Sequence, residues 1–120
     1  MSTMLTDLTE IGQVGDLQPG EMKKVLKLGR EILLARDGNT FYAAEDRCRH
    51  MNGDLSKGKL EGTIVTCPLH GSQYDLKDGH VVRWTTWPGV LLAFDQLRSP
   101  KRGLPVYPVT VDNGKIMIKL

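Results

Sequence analysis

Short apolar runs separated by turn residues limit this chain more than any other feature. MKKVLKL at 22–28 gives way at Gly29–Arg30 to EILLAR at 31–36, and Asp37–Gly38–Asn39 separates that run from TFYAA at 40–44. A short strand at 59–61, Gly62 and TIVT at 63–66 make a second hairpin, and QYDL at 73–76, Lys77–Asp78–Gly79 and HVVR at 80–83 a third. VYPVTV at 106–111 and KIMIKL at 115–120 flank Asn113–Gly114. Glycine and Asn-Gly or Asp-Gly pairs between alternating runs are hairpin signals, because they accept the positive φ of tight turns. The class is therefore all-β, with Val25, Leu28, Ile32, Leu34, Phe41 and Ala43 as candidates for the buried faces. Residues 45–58 and 67–72 read as loops at the tips of the two hairpins that flank TIVT.

Residues 84–104 break this rhythm. Val90, Ala93, Phe94 and Leu97 fall at i, i+3, i+4 and i+7, which predicts one short helix near 89–97, stopped by Pro100. Its periodicity fits a surface helix laid on the strands better than a partner-binding helix.

At 120 residues, 40% hydrophobic and 25% charged, the chain reads as one domain, 1–120. No apolar run approaches the roughly 20 residues of a membrane span. MSTMLTDLTE lacks the basic start and apolar stretch of a signal peptide. The expectation is a cytoplasmic protein with no membrane anchor. The net charge of +2 is scattered, and MKK and KRGL are short clusters rather than a stripe. Nucleic acid is not an expected partner. A protein partner with an acidic docking face is compatible with the mild basic balance.

The chemistry lies in Cys48-Arg49-His50 and Cys67-Pro68-Leu69-His70. These use both cysteines of the chain and two of its three histidines. Two such pairs on two loops suit a binuclear iron–sulfur site of mixed ligation. Two soft, anionic thiolates match one iron, and two neutral imidazoles the other. Zinc takes the same residue types, but its usual order is Cys–Cys then His–His. A catalytic Cys–His dyad would have to occur twice by coincidence. Uncoordinated core residues sit poorly beside Pro68 and Gly71.

The pattern C-x-H-x16-C-x2-H resembles the Rieske family, specifically its stand-alone ferredoxins. The likeness runs through CRHMNGDLSKGKLEGTIVTCPLHGSQYDL at 48–76 and into the closing PVYPV and DNGKIMI. It implies three antiparallel β-sheets with a small cluster-binding subdomain at about 45–76. It also implies one [2Fe-2S] cluster, its buried iron on Cys48 and Cys67 and its outer iron on His50 and His70. Respiratory members add a disulfide between the loops; Gly53 and Leu69 stand at those positions here. Ser72 and Tyr74, by contrast, match the respiratory GS-x-Y pattern, whose hydroxyls resemble donors to the cluster sulfurs. The plainer alternative has Ser72 capping its loop and Tyr74 packing a strand with its hydroxyl in water.

The resemblance implies a soluble one-electron carrier between a reductase and a terminal oxidoreductase such as an oxygenase, not an enzyme. An alternative is the small Rieske subunit of a multi-subunit oxidoreductase of oxygenase or nitrite-reductase type. His80, the one histidine left after ligation, cannot build a mononuclear iron triad. Trp84 and Trp87 read as core filler.

Overall fold

The computed structural model describes residues 8–48, 53–69, 71–83 and 103–119. The helix expected near 89–97 lies outside them. Among the described residues no helix is long and apolar enough to cross a membrane.

Among the described residues, eleven strands form three antiparallel sheets. The central sheet has the order β2-β3-β4-β9, from β2 (Met22–Lys27), β3 (Arg30–Asp37), β4 (Thr40–Glu45) and β9 (Val106–Tyr107). A three-stranded sheet, β1-β11-β10, joins β1 (Leu8–Gln13), β11 (Lys115–Lys119) and β10 (Val109–Asp112). The third, β5-β6-β7-β8, is a meander of β5 (Lys59–Glu61), β6 (Ile64–Thr66), β7 (Gln73–Asp75) and β8 (Val81–Arg83).

The central sheet is buried on both faces. Ile32, Leu33, Leu34 and Ala35 are consecutive and all inaccessible or nearly so, and the period of two sends alternate ones to opposite sides. Ile32 and Leu34, with Phe41 and Ala43, pack on Ile11, Leu17, Ile116 and Ile118. Leu33, Ala35 and Ala44 pack on Leu55, Val65, Tyr74, Leu76, Leu104 and both cysteines. Full burial of an Ile or Leu side chain contributes about 1.5–3 kcal/mol. Two cores thus share one sheet, and of the expected core residues Ile32, Leu34, Phe41 and Ala43 belong to only one of them.

Four two-residue turns close hairpins where turn residues were read: Leu28–Gly29, Gly38–Asn39, Gly62–Thr63 and Asn113–Gly114. Leu28, expected in the core, is corrected. It holds φ 51° in the turn and is 75% exposed, because the two-residue loop between Lys27 and Arg30 leaves it no place in the ladder. VYPVTV is likewise two strands, not one. β9 pairs with β4 of the central sheet and β10 with β11. Pro108 stands between them, where its missing N–H costs no ladder bond.

β1 carries no alternation that the sequence reveals. Its pairing with β11 slips between Glu10 and Gly12, a bulge that turns Ile11 inward at 5% exposure. The extra residue breaks the period of two between Leu8 and Ile11. At the far end of the third sheet, Gly79 holds φ +83° and its carbonyl accepts from the Leu104 N–H at 2.7 Å. A Cβ there would lie 1.9 Å from the Leu104 carbonyl oxygen, so glycine is required by the crossing itself.

Candidate metal centre

Two loops at one end of the third sheet bring the cysteines together. The first is not a hairpin tip. It leaves β4 after Glu45 and crosses from the central sheet to β5, through a 3-10 turn at Leu55–Lys57. The second joins β6 to β7 as expected. Cys48 N–H donates to the Gly53 carbonyl at 2.8 Å, folding the first loop back on itself. Cys67 N–H donates to the Ser72 carbonyl at 2.8 Å, and Gly71 N–H to the Cys67 carbonyl at 3.2 Å. Gly58 lets the first loop rejoin the sheet: a Cβ there would sit 1.8 Å from the Thr66 carbonyl oxygen.

The loops touch at Gly53. A Cβ on Gly53 would lie 2.9 Å from Leu69 Cδ1 and 3.0 Å from Cys67 Sγ. Gly53 and Leu69, the positions where respiratory members bear the extra disulfide, are therefore neighbours, held here by an apolar contact. Cys48 and Cys67 are both buried, 1% and 2% exposed, in the same cluster of buried residues. Two buried cysteine sulfurs from separate loops, at a wall only glycine can form, fit a pair of thiolate ligands to iron.

Tyr74 is fully buried, so its hydroxyl does not point to water. Its oxygen lies 3.5 Å from Cys48 Sγ. When that sulfur is a thiolate it has no proton to give, and the phenol is the donor. Ser72 is also fully buried, its carbonyl on the Cys67 N–H. His50 and His70 lie outside the described residues. His80 is apart from the loops; its exposed ring nitrogen Nδ1 stands 2.6 Å from Asp78 Oδ1. The His80 backbone N–H, then its ring, hold the Asp78 carboxyl below its usual range.

The sequence reading missed a polar group beneath the first loop. Lys24 reaches Glu31 Oε1 and Asp54 Oδ2, each at 3.0 Å, and Arg47 pairs with Glu31. The Lys24 ammonium, helped by Arg47 at Glu31 and by Lys57 at Asp54, keeps both carboxyls below their usual values. Asp54 first, then Glu31, raise Lys24 in return. Nothing in the spacing of these charges marks them, because Lys24 meets Asp54 across 30 positions.

A family model described as the Rieske [2Fe-2S] domain matches residues 7–108. The 3-phenylpropionate/cinnamic acid dioxygenase ferredoxin subunit of Escherichia coli K12 is 36% identical over 108 residues, covering 89% of this chain and 88% of that one. Ferredoxin CarAc of Metapseudomonas resinovorans is 40% identical over 65 residues, 53% of this chain; the match spans only 61% of that ferredoxin. Among solved structures, the complex of reduced oxygenase and oxidized ferredoxin in carbazole 1,9a-dioxygenase contains a chain that superposes with a TM-score of 0.76. It shares 28% identity over 94% of this chain and 93% of the other.

Proposed function

Since the chain belongs to the Rieske [2Fe-2S] domain family and carries one [2Fe-2S] cluster, we propose that it is the ferredoxin component of a dioxygenase system, passing single electrons from a reductase to a terminal oxygenase. The observation that carries this reading is the pair of buried cysteines on two touching loops, in a chain that matches a dioxygenase ferredoxin subunit over 88% of its length. The relatives are named as ferredoxin components rather than catalysts.

Cys48 and Cys67 would hold one iron, and His50 and His70, two and three residues further along, the other. The bound cluster supplies a reversible one-electron couple near the surface. The chain's part is to keep water from the thiolates, to donate a hydrogen bond from Tyr74 to Cys48 Sγ, and to present the histidine edge to partners. Ser72, buried beside Cys67, is the second candidate donor. Residues 45–76 form the cluster-binding portion, and β8 adds an edge strand to its sheet. We place the protein in the cytoplasm, where a reductase and an oxygenase can meet it; recovery in a membrane-pellet fraction would contradict this.

The test is composition followed by transfer. The purified protein should contain two irons and two inorganic sulfides per chain and a Rieske-type EPR signal when reduced, as a cluster on two cysteines and two histidines requires. Cys48→Ser and Cys67→Ser should each lose it, while His80→Asn keeps it. A dioxygenase reductase should reduce the protein, and an oxygenase should reoxidise it. Stoichiometric zinc without sulfide would refute the reading.

A further inference from the structure

The loop that carries Cys48 is fastened by a buried carboxylate that electron transfer does not use. Asp46 lies two residues before Cys48, just beyond the end of β4, and is fully inaccessible. Both its oxygens are taken by one residue across the loop. The Ser56 N–H donates to Oδ1 at 2.7 Å and the Ser56 hydroxyl to Oδ2 at 2.6 Å. The Asp46 N–H donates to the Glu31 carbonyl at 3.0 Å, anchoring this point on β3. Lys24 Nζ stands 3.9 Å from Oδ2 while bonding Glu31 and Asp54 on either side.

The carboxylate thus ties the two ends of the 46–56 segment together. Inside that closure sits the bond from Cys48 N–H to the Gly53 carbonyl. A buried carboxylate is tolerated only when its hydrogen bonds are made. Opening this contact would free the segment to gain the entropy of an unclosed loop. We infer that Asp46 and Ser56 form a latch that holds Cys48 at the position its ligand role requires, and that both are positioning residues acting through Cys48. The inference rests on the reading of Cys48 as a cluster ligand.

The test compares cluster loss in wild type, Ser56→Ala, Ser56→Thr and Arg36→Ala under an iron chelator, followed by visible absorbance well below the melting temperature. Removing a hydrogen bond to a buried charged group should shift local opening, and so the rate of loss, by about tenfold. Ser56→Thr keeps the hydroxyl and should restore the wild-type rate. Arg36→Ala is the comparator, because Arg36 serves the other core, donating to the Val14 and Leu17 carbonyls and to Gly38. Loss at the wild-type rate in Ser56→Ala overturns the latch. So does equal acceleration in Arg36→Ala at matched melting temperature, since the effect would then be global. A wild-type protein without iron would remove the ligand reading instead. Hydrogen exchange at the Cys48 and Lys57 amides then decides the latch by itself: faster exchange in Ser56→Ala supports it, and unchanged exchange overturns it.

Discussion

Tyr74→Phe removes one oxygen atom from beside the centre and leaves the ring where it is. That ring packs among Leu55, Val65 and Leu76 in the core beneath the loops, so the substitution opens no space larger than a hydroxyl. The oxygen is 3.5 Å from Cys48 Sγ. Tyr74 has no exposed surface, so no solvent molecule takes over the lost donation. A hydrogen bond of this kind has a net worth of about 1 kcal/mol. Reduction adds a negative charge to the cluster, which strengthens the donation and favours the reduced form. If one half to all of that worth is the difference between redox states, the midpoint falls by roughly 20–45 mV, at 59 mV per tenfold for one electron. Voltammetry on wild type, Tyr74→Phe and Tyr107→Phe measures it. Tyr107 packs against the other core and should leave the midpoint where it was. A Tyr74→Phe midpoint equal to wild type, with a Rieske-like EPR signal retained, would refute the donation. A shift of equal size in Tyr107→Phe would mean that packing, not the hydroxyl, sets it.

Leu28→Asn should stabilise the protein by about 1 kcal/mol, because a left-handed leucine is strained and this one is exposed; chemical denaturation gives the sign. Gly79→Ala should cost roughly 3 kcal/mol or more, from the positive φ together with the 1.9 Å approach of the new Cβ to the Leu104 carbonyl, and a melting temperature near wild type would show that the crossing can part. Glu31 and Asp54 have carboxyls held low by Lys24, so the stability they add is present above their unfolded values and disappears as pH falls through the folded ones. Urea unfolding of wild type and Lys24→Met should therefore differ near neutrality and converge in acid, as the pH falls through the carboxyls' lowered folded values; a gap that persists in stronger acid would assign the effect to packing of the lysine stem.

Hairpins were legible in the sequence because their information is local. Asn113–Gly114 and Gly38–Asn39 state their own turn geometry through residues that accept positive φ or close a tight loop. The proposed ligands were named for a related reason: a thiolate and an imidazole a few positions apart on a loop have few other uses. Neither signal reaches across the chain. That the 22–45 strands bury both faces depends on two other sheets closing over them, and one strand's alternation cannot count its neighbours. The bulge at Ile11 erased the only periodicity β1 had, and Pro108 hid a change of sheet inside what reads as one run. Cys48 and Cys67 were named from their letters. Their burial, the phenol of Tyr74 against one sulfur, and the fastening of Asp46 by Ser56 arise only when β4, the 3-10 turn and β7 meet. Each is a contact between groups ten or more residues apart. The energy of such contacts belongs to the packed core, where water is absent, and no stretch of sequence contains that core by itself.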